Sequence, residues 1–138
     1  YACKYKPAVI VDIATLTGAC GIALGQEAIG MLGTDDKFKQ KIREAGEKTG
    51  ERVWELPLWE EYYEQIKSDI ADMKNTGGRL GSVITAAALL SKFVQKYPWV
   101  HLDIAPTAWT DKERPYTPKG ATGIGVRLLT QFLRDFKY

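Results

Sequence analysis

The chain has 138 residues, 45% of them hydrophobic and 26% charged, so it can build a core and does not have the composition of a disordered segment. Nineteen basic and 17 acidic residues alternate closely and leave a net charge of +2, which gives no electrostatic footprint for nucleic acid or an anionic membrane. No apolar run approaches the roughly 20 residues of a membrane helix. The two cysteines, Cys3 and Cys20, lack the spacing of a disulfide framework or a zinc site and read as reduced thiols of a cytosolic protein.

The opening Tyr1-Ala2-Cys3-Lys4-Tyr5-Lys6 carries neither an initiator Met nor a signal-peptide pattern, as a fragment or a processed piece would. Lys6-Pro7 breaks what precedes it, because the residue before Pro avoids the α region. Residues 8–13 are an almost continuous apolar run, the pattern of a strand covered on both faces of a parallel sheet. Residues 18–24 predict a short buried helix and residues 28–32 a second short strand. Asp35 or Asp36 is the expected N-cap of a helix over about 37–48, with Phe38, Ile42 and Ala45 on one face and Gly50 as its stop. Residues 54–67, with Trp59, Tyr62, Tyr63 and Ile66 and with Pro57 near the start, read as an amphipathic helix. Asn75-Thr76-Gly77-Gly78-Arg79 is a turn cluster, and the Ala- and Leu-rich residues 82–94 form a buried helix. A strong strand over 99–104 follows, then a polar loop over 111–120. A terminal amphipathic helix begins at Thr122 or Gly123 and runs to Phe136, with Val126, Leu129, Phe132 and Leu133 inward. Strands alternating with helices predict an α/β fold: a mixed, largely parallel sheet flanked by helices on both faces, within a single domain over 1–138.

The turn after the first strand, Thr15-Leu16-Thr17-Gly18, stands where α/β proteins build ligand sites, beyond the carboxyl end of a strand. A Ser or Thr nucleophile needs an adjacent base, and no G-x-S-x-G elbow is present, so this segment reads as pocket lining. Asp12 and Asp103 lie in strong strands and form either an acid–base or metal-binding pair or two separately bonded structural carboxylates. His101 is the only histidine, which excludes multi-His zinc sites, and its apolar strand favours a hydrogen-bonded core residue. Gly120-Ala121-Thr122-Gly123-Ile124-Gly125 precedes a helix and could cradle a phosphate, but it lacks the Lys-Ser/Thr of a P-loop; a close helix–strand approach is the plainer reading. Gly77-Gly78-Arg79 is either a guanidinium site for an anion or a flexible turn. The irregular spacing of Trp54, Trp59, Trp99 and Trp109 favours core or interface packing over an aromatic cage.

Six stretches taken together resemble the leucyl (cytosol) aminopeptidase family: Ala14-Thr15-Leu16-Thr17-Gly18-Ala19, Gly50 to Leu58 (GERVWELPL), Ala71-Asp72-Met73-Lys74-Asn75, Ile84-Thr85-Ala86-Ala87, His101-Leu102-Asp103-Ile104-Ala105 and Lys119-Gly120-Ala121-Thr122-Gly123. They occur in the family's order across essentially the whole chain. The resemblance implies the C-terminal part of the catalytic domain of a cytoplasmic, metal-dependent exopeptidase. Such an enzyme removes N-terminal residues, often Leu, from peptides, uses two divalent ions (Zn or Mn) and assembles as a homo-hexamer. It implies that the metal ligands and catalytic side chains lie upstream, since the family's Asn-Thr-Asp-Ala-Glu-Gly-Arg signature is not in this chain. No catalytic residue and no metal ligand is therefore expected here, and the chain alone is expected to be inactive. Its partners would be a peptide substrate and the upstream half of its own catalytic domain, which would cover an apolar part of its surface. By the same match Thr15, Leu16 and Gly18 line the substrate site, with the Leu16 carbonyl facing the substrate backbone, and Ala105 and Ala108 shape the pocket for the N-terminal side chain. Pro106 stands where the family usually has Gly, and Leu80-Gly81-Ser82-Val83 departs from its usual Ala-Gly run. The alternative is a non-enzymatic α/β domain that binds a phosphate or nucleotide at the turns of Gly18 and Gly123. A purely structural subunit that partners a catalytic chain is a third reading.

Overall fold

The computed structural model describes residues 1–137. After a 3-10 turn at Ala2–Tyr5 the order is β1 (Ile10–Ala14), α1 (Gly18–Leu24), β2 (Ile29–Gly33), α2 (Asp36–Thr49), β3 (Val53–Glu55), α3 (Glu60–Glu64), α4 (Ser82–Ser91), β4 (Trp99–Asp103), β5 (Trp109–Thr110), β6 (Gly120–Ala121) and α5 (Val126–Asp135). Four strands form one sheet in the order β1-β4-β2-β3. β1 pairs with β4 and β2 with β3 in parallel, whereas β2 and β4 are antiparallel, so the sheet is mixed and largely parallel as the alternation of elements predicts.

Side chains alternate across a strand, and β4 shows what that does. Val100 and Leu102 point into a core shared with Ile29 and Met31 of β2, Ile42 and Ala45 of α2, and Leu128 and Phe132 of α5. Trp99, on the opposite face, joins Cys20 of α1 and Val83, Ile84 and Ala87 of α4. All five residues of β4 are buried, which is what its apolar run demands of a central strand.

β1 differs. Its apolar run reads like that of β4, yet it lies at the edge of the sheet and Ile13 is 37% exposed. α1 likewise buries only Cys20, and Ile22 stands 87% exposed. Apolar content reports the tendency to be covered, not the presence of a cover among these residues.

Helix α2 follows its local signals. The Asp35 side chain accepts from Phe38 N at 3.0 Å, and Gly50 takes a left-handed φ of 71° just past the last turn. The helix expected over residues 54–67 is not there. Val53–Glu55 instead extends the sheet beside β2, the Leu56 N–H continues the pairing to the Met31 carbonyl at 2.9 Å, and only Glu60–Glu64 is helical. Pro57 holds the residue before it extended, so the strand wins over the aromatic spacing. The terminal helix starts at Val126 and turns Leu128 and Phe132 inward, with Leu129 packed beside them. Val126 and Leu133, expected inward, are about two-thirds exposed at 65% and 67%. The polar loop over 111–120 is bracketed by the short antiparallel pair β5–β6, which its sequence does not signal.

Candidate functional site

β1 and β4 run parallel in register, Ala14 opposite Asp103, so the segments that follow them leave the sheet side by side at its carboxyl end. The Ile104 N–H donates to the Ala14 carbonyl at 2.8 Å and closes the junction. This brings Thr15, Leu16 and Gly18 into one neighbourhood with Ala105 and Ala108, two groups that are about 90 residues apart in sequence. The first group is exposed and the two alanines are half-buried.

One carboxylate organises this neighbourhood. Asp103 is fully buried, and a buried charge is tolerated only where it is fully hydrogen-bonded. Its Oδ1 accepts from Leu16 N at 3.1 Å and from Ala105 N at 3.1 Å. Its Oδ2 accepts from Thr17 N at 3.1 Å and from the Thr17 hydroxyl at 2.7 Å. The same hydroxyl accepts from Cys20 N at 3.2 Å and so caps α1. Burial and the nearby Asp103 charge push the Cys20 thiol up to about 11, which keeps it neutral in the core.

Asp12, the other strand carboxylate, does not join Asp103. It accepts from Trp99 Nε1 at 2.5 Å and lies 2.6 Å from His101 Nδ1. With Asp12 as a carboxylate, that nitrogen carries the proton. The fully buried imidazole stacks on Trp99, and its Nε2 has no hydrogen-bond partner among the described residues. The two carboxylates are thus separately bonded, and His101 is a hydrogen-bonded core residue. No group of three or more His, Cys, Asp or Glu side chains that could hold a metal ion occurs among the described residues. The residues present do not fit a metal pair.

The glycine-rich turn before α5 is not a free anion cradle. The nearly buried Glu51 carboxylate accepts from Gly125 N at 3.0 Å and Leu128 N at 2.8 Å, and it pairs with Arg127 Nε at 3.1 Å. A side chain already supplies the negative charge that a helix N-terminus attracts. A cleft of about 280 Å³ opens beside it, lined by Arg52, Trp109, Arg114 and Arg127 among others. Two of its guanidiniums are committed, Arg127 to Glu51 and Arg114 to Glu27 at 3.4 Å. Gly77 and Gly78 lie in irregular chain that bends at Arg79, and Gly77 lies against Thr85 so closely that a Cβ would sit 2.6 Å from it. Of the four tryptophans only Trp99 is core; Trp54, Trp59 and Trp109 are largely exposed.

The sequence marks Asp103, Leu16, Thr17 and Ala105 singly without pairing them, and it does not mark Glu51 as the anchor of the start of α5. Glu51 lies between a helix stop and a strand, and its partners are more than 70 residues away, so nothing local marks it.

A mixed α/β sheet whose parallel strands end in small-residue turns braced on a buried carboxylate places this chain among α/β proteins, which as a class bind ligands beyond the carboxyl ends of their strands. The particular family follows from comparison. The pattern of the cytosol aminopeptidase family, catalytic domain, matches residues 1–130, and this chain belongs to that family. It is 60% identical over 137 residues to a protein named probable cytosol aminopeptidase from Geotalea uraniireducens, covering 99% of this chain and 28% of that protein. A protein of the same name from Roseiflexus castenholzii is 58% identical, with the same coverage. A solved mutant of tomato leucine aminopeptidase superposes with a TM-score of 0.90 at 42% identity, over 98% of this chain and 26% of that one. The chain thus spans little more than a quarter of the length of these relatives.

Proposed function

We propose that residues 1–138 are one unit, the C-terminal portion of the catalytic domain of an aminopeptidase that removes N-terminal residues, preferably Leu, from peptides. The observation that carries this reading is the junction of β1 and β4, where two small-residue turns from distant parts of the chain meet over one buried carboxylate. In it Thr15, Leu16 and Gly18 form one wall of the substrate pocket, and Ala105 and Ala108 leave room for a medium apolar side chain. The Leu16 carbonyl accepts a hydrogen bond from the substrate backbone. This chain binds and orients. The two divalent ions, Zn or Mn, belong to residues outside it, and no step of the reaction is assigned to its own carboxylates or to His101.

The partners follow from the same reading: a peptide substrate, the upstream half of the catalytic domain, and sister copies in a homo-hexamer. The edge position of β1 and the exposure of Ile13, Leu16 and Ile22 support a covering partner. The names of the relatives support a cytoplasmic location, and no helix among the described residues is long and apolar enough to cross a membrane. The committed Glu51 carboxylate argues against a phosphate or nucleotide at the turn of Gly123.

The test is Ala108→Trp in the longer enzyme that contains this chain. Filling the pocket should lower kcat/KM for a leucyl amide by about tenfold or more, since overpacking a pocket costs at least as much as a misplaced methylene. An unchanged kcat/KM removes Ala108 from the pocket wall.

A further inference from the structure

We infer that Asp103 is the positioning residue of the substrate pocket, orienting both of its walls from beneath without touching substrate. The inference rests on the pocket reading above and names a residue which that reading does not use.

In a planar trans peptide the N–H and C=O point in opposite directions, and there is no cis bond among the described residues. Asp103 draws the N–H groups of Leu16 and Thr17 towards the core. The carbonyls that share those two peptide planes, of Thr15 and Leu16, are thereby turned away from the carboxylate. Asp103 also draws the Ala105 N–H inward at 3.1 Å, which turns the Ile104 carbonyl the other way. That carbonyl collects the N–H groups of Thr107 at 3.0 Å and Ala108 at 2.9 Å, and the turn they form sets the place of Ala108. One buried anion therefore fixes the acceptor carbonyls on one wall and the alanines on the other, and with them the width between the walls.

The Thr17 hydroxyl extends this control into α1. It donates to Asp103 at 2.7 Å and accepts from Cys20 N at 3.2 Å, so the start of the helix is registered to the same carboxylate. An asparagine at position 103 would keep the shape but turn two acceptor oxygens into one, with an NH2 facing donors. Hydrogen bonds to a charged group are the stronger kind, and losing them leaves backbone donors unpaired.

Asp103→Asn, Thr17→Val and Thr17→Ser in the longer enzyme test this with leucyl and alanyl amides as paired substrates. A variant that merely folds less well lowers the active fraction, which scales kcat alike for both substrates and leaves KM and the leucyl-to-alanyl ratio of kcat/KM untouched. A positioning residue moves both. D103N should raise KM for the leucyl amide about tenfold or more, the order expected for lost charge-assisted bonds, and should lower the leucyl-to-alanyl ratio several-fold. T17V should shift both in the same direction by less, and T17S, which restores the hydroxyl, should return them to wild type. Wild-type KM and ratio in D103N overturn the inference. If D103N does not fold, wild-type KM and ratio in T17V overturn it instead. Should A108W leave leucyl turnover intact while D103N and T17V move KM and ratio, the Ala108 assignment fails and the positioning role stands. If A108W acts but D103N and T17V do not, the pocket stands and Asp103 is only a core anion.

Discussion

At the residue scale, the space above Gly30 is decided by a single sulfur atom. A Cβ built there would lie 2.7 Å from Cys20 Sγ, closer than real contacts allow, so β2 can pass under α1 only with glycine at that position. Gly30→Ala should force α1 outward and cost about 1–3 kcal/mol, read as a lowered denaturation midpoint. Adding Cys20→Ala removes the obstructing atom, so the double variant should lose less than the sum of the two single losses. Strictly additive losses would show that the sulfur is not what excludes the side chain. The same scale explains why Asp103 was visible in the sequence and its role was not. An Asp at the end of an apolar strand stands out, but its donors at Leu16 and Thr17 are 86 or 87 residues away and come within reach only when β1 lies parallel to β4.

At the element scale, helices with local punctuation were legible and elements made by tertiary partners were not. α2 carries its own cap and stop, Asp35 and Gly50, and forms where they place it. The three residues of β3 have no periodicity to read and exist because β2 offers an edge to pair with. The apolar spacing of α5 places Phe132 and Leu129 at the core but not Val126 and Leu133, because the start of the helix is held from outside it. Glu51 clamps the N–H groups of Gly125 and Leu128, and that clamp turns Leu128 and Phe132 to the core and leaves Val126 and Leu133 outside. Glu51→Gln keeps the volume and loses the charge and one acceptor. It should destabilise the fold by about 2 kcal/mol or more, measured by urea denaturation, with the loosening concentrated in amide exchange at the start of α5. A stability within about 0.5 kcal/mol of wild type would show that the carboxylate does not set the helix.

At the scale of the whole molecule, the sheet carries a hydrophobic core on each face and leaves β1 at its edge, the position the proposed covering partner would take. The general architecture was legible because β4 and the apolar runs around it announce a sheet with helices on both faces. Of the proposed pocket, the turn over residues 15–18 is legible from its place beyond the carboxyl end of a strand, whereas Ala105 and Ala108 come only from the six short stretches read together, since neither alanine has the chemistry to signal itself. The turns that follow β1 and β4 come together through a strand pairing that no local pattern encodes. On the proposed reading this chain supplies the walls of an aminopeptidase pocket while the metal chemistry resides elsewhere. The most direct measurement is leucyl amide hydrolysis by the 138-residue chain, with and without added Mn or Zn, beside the longer enzyme that contains it. The expected result is metal-dependent release of leucine by the longer enzyme and none by the chain alone. Metal-dependent turnover by the chain alone would contradict it and return Asp12, His101 and Asp103 to consideration as a working site.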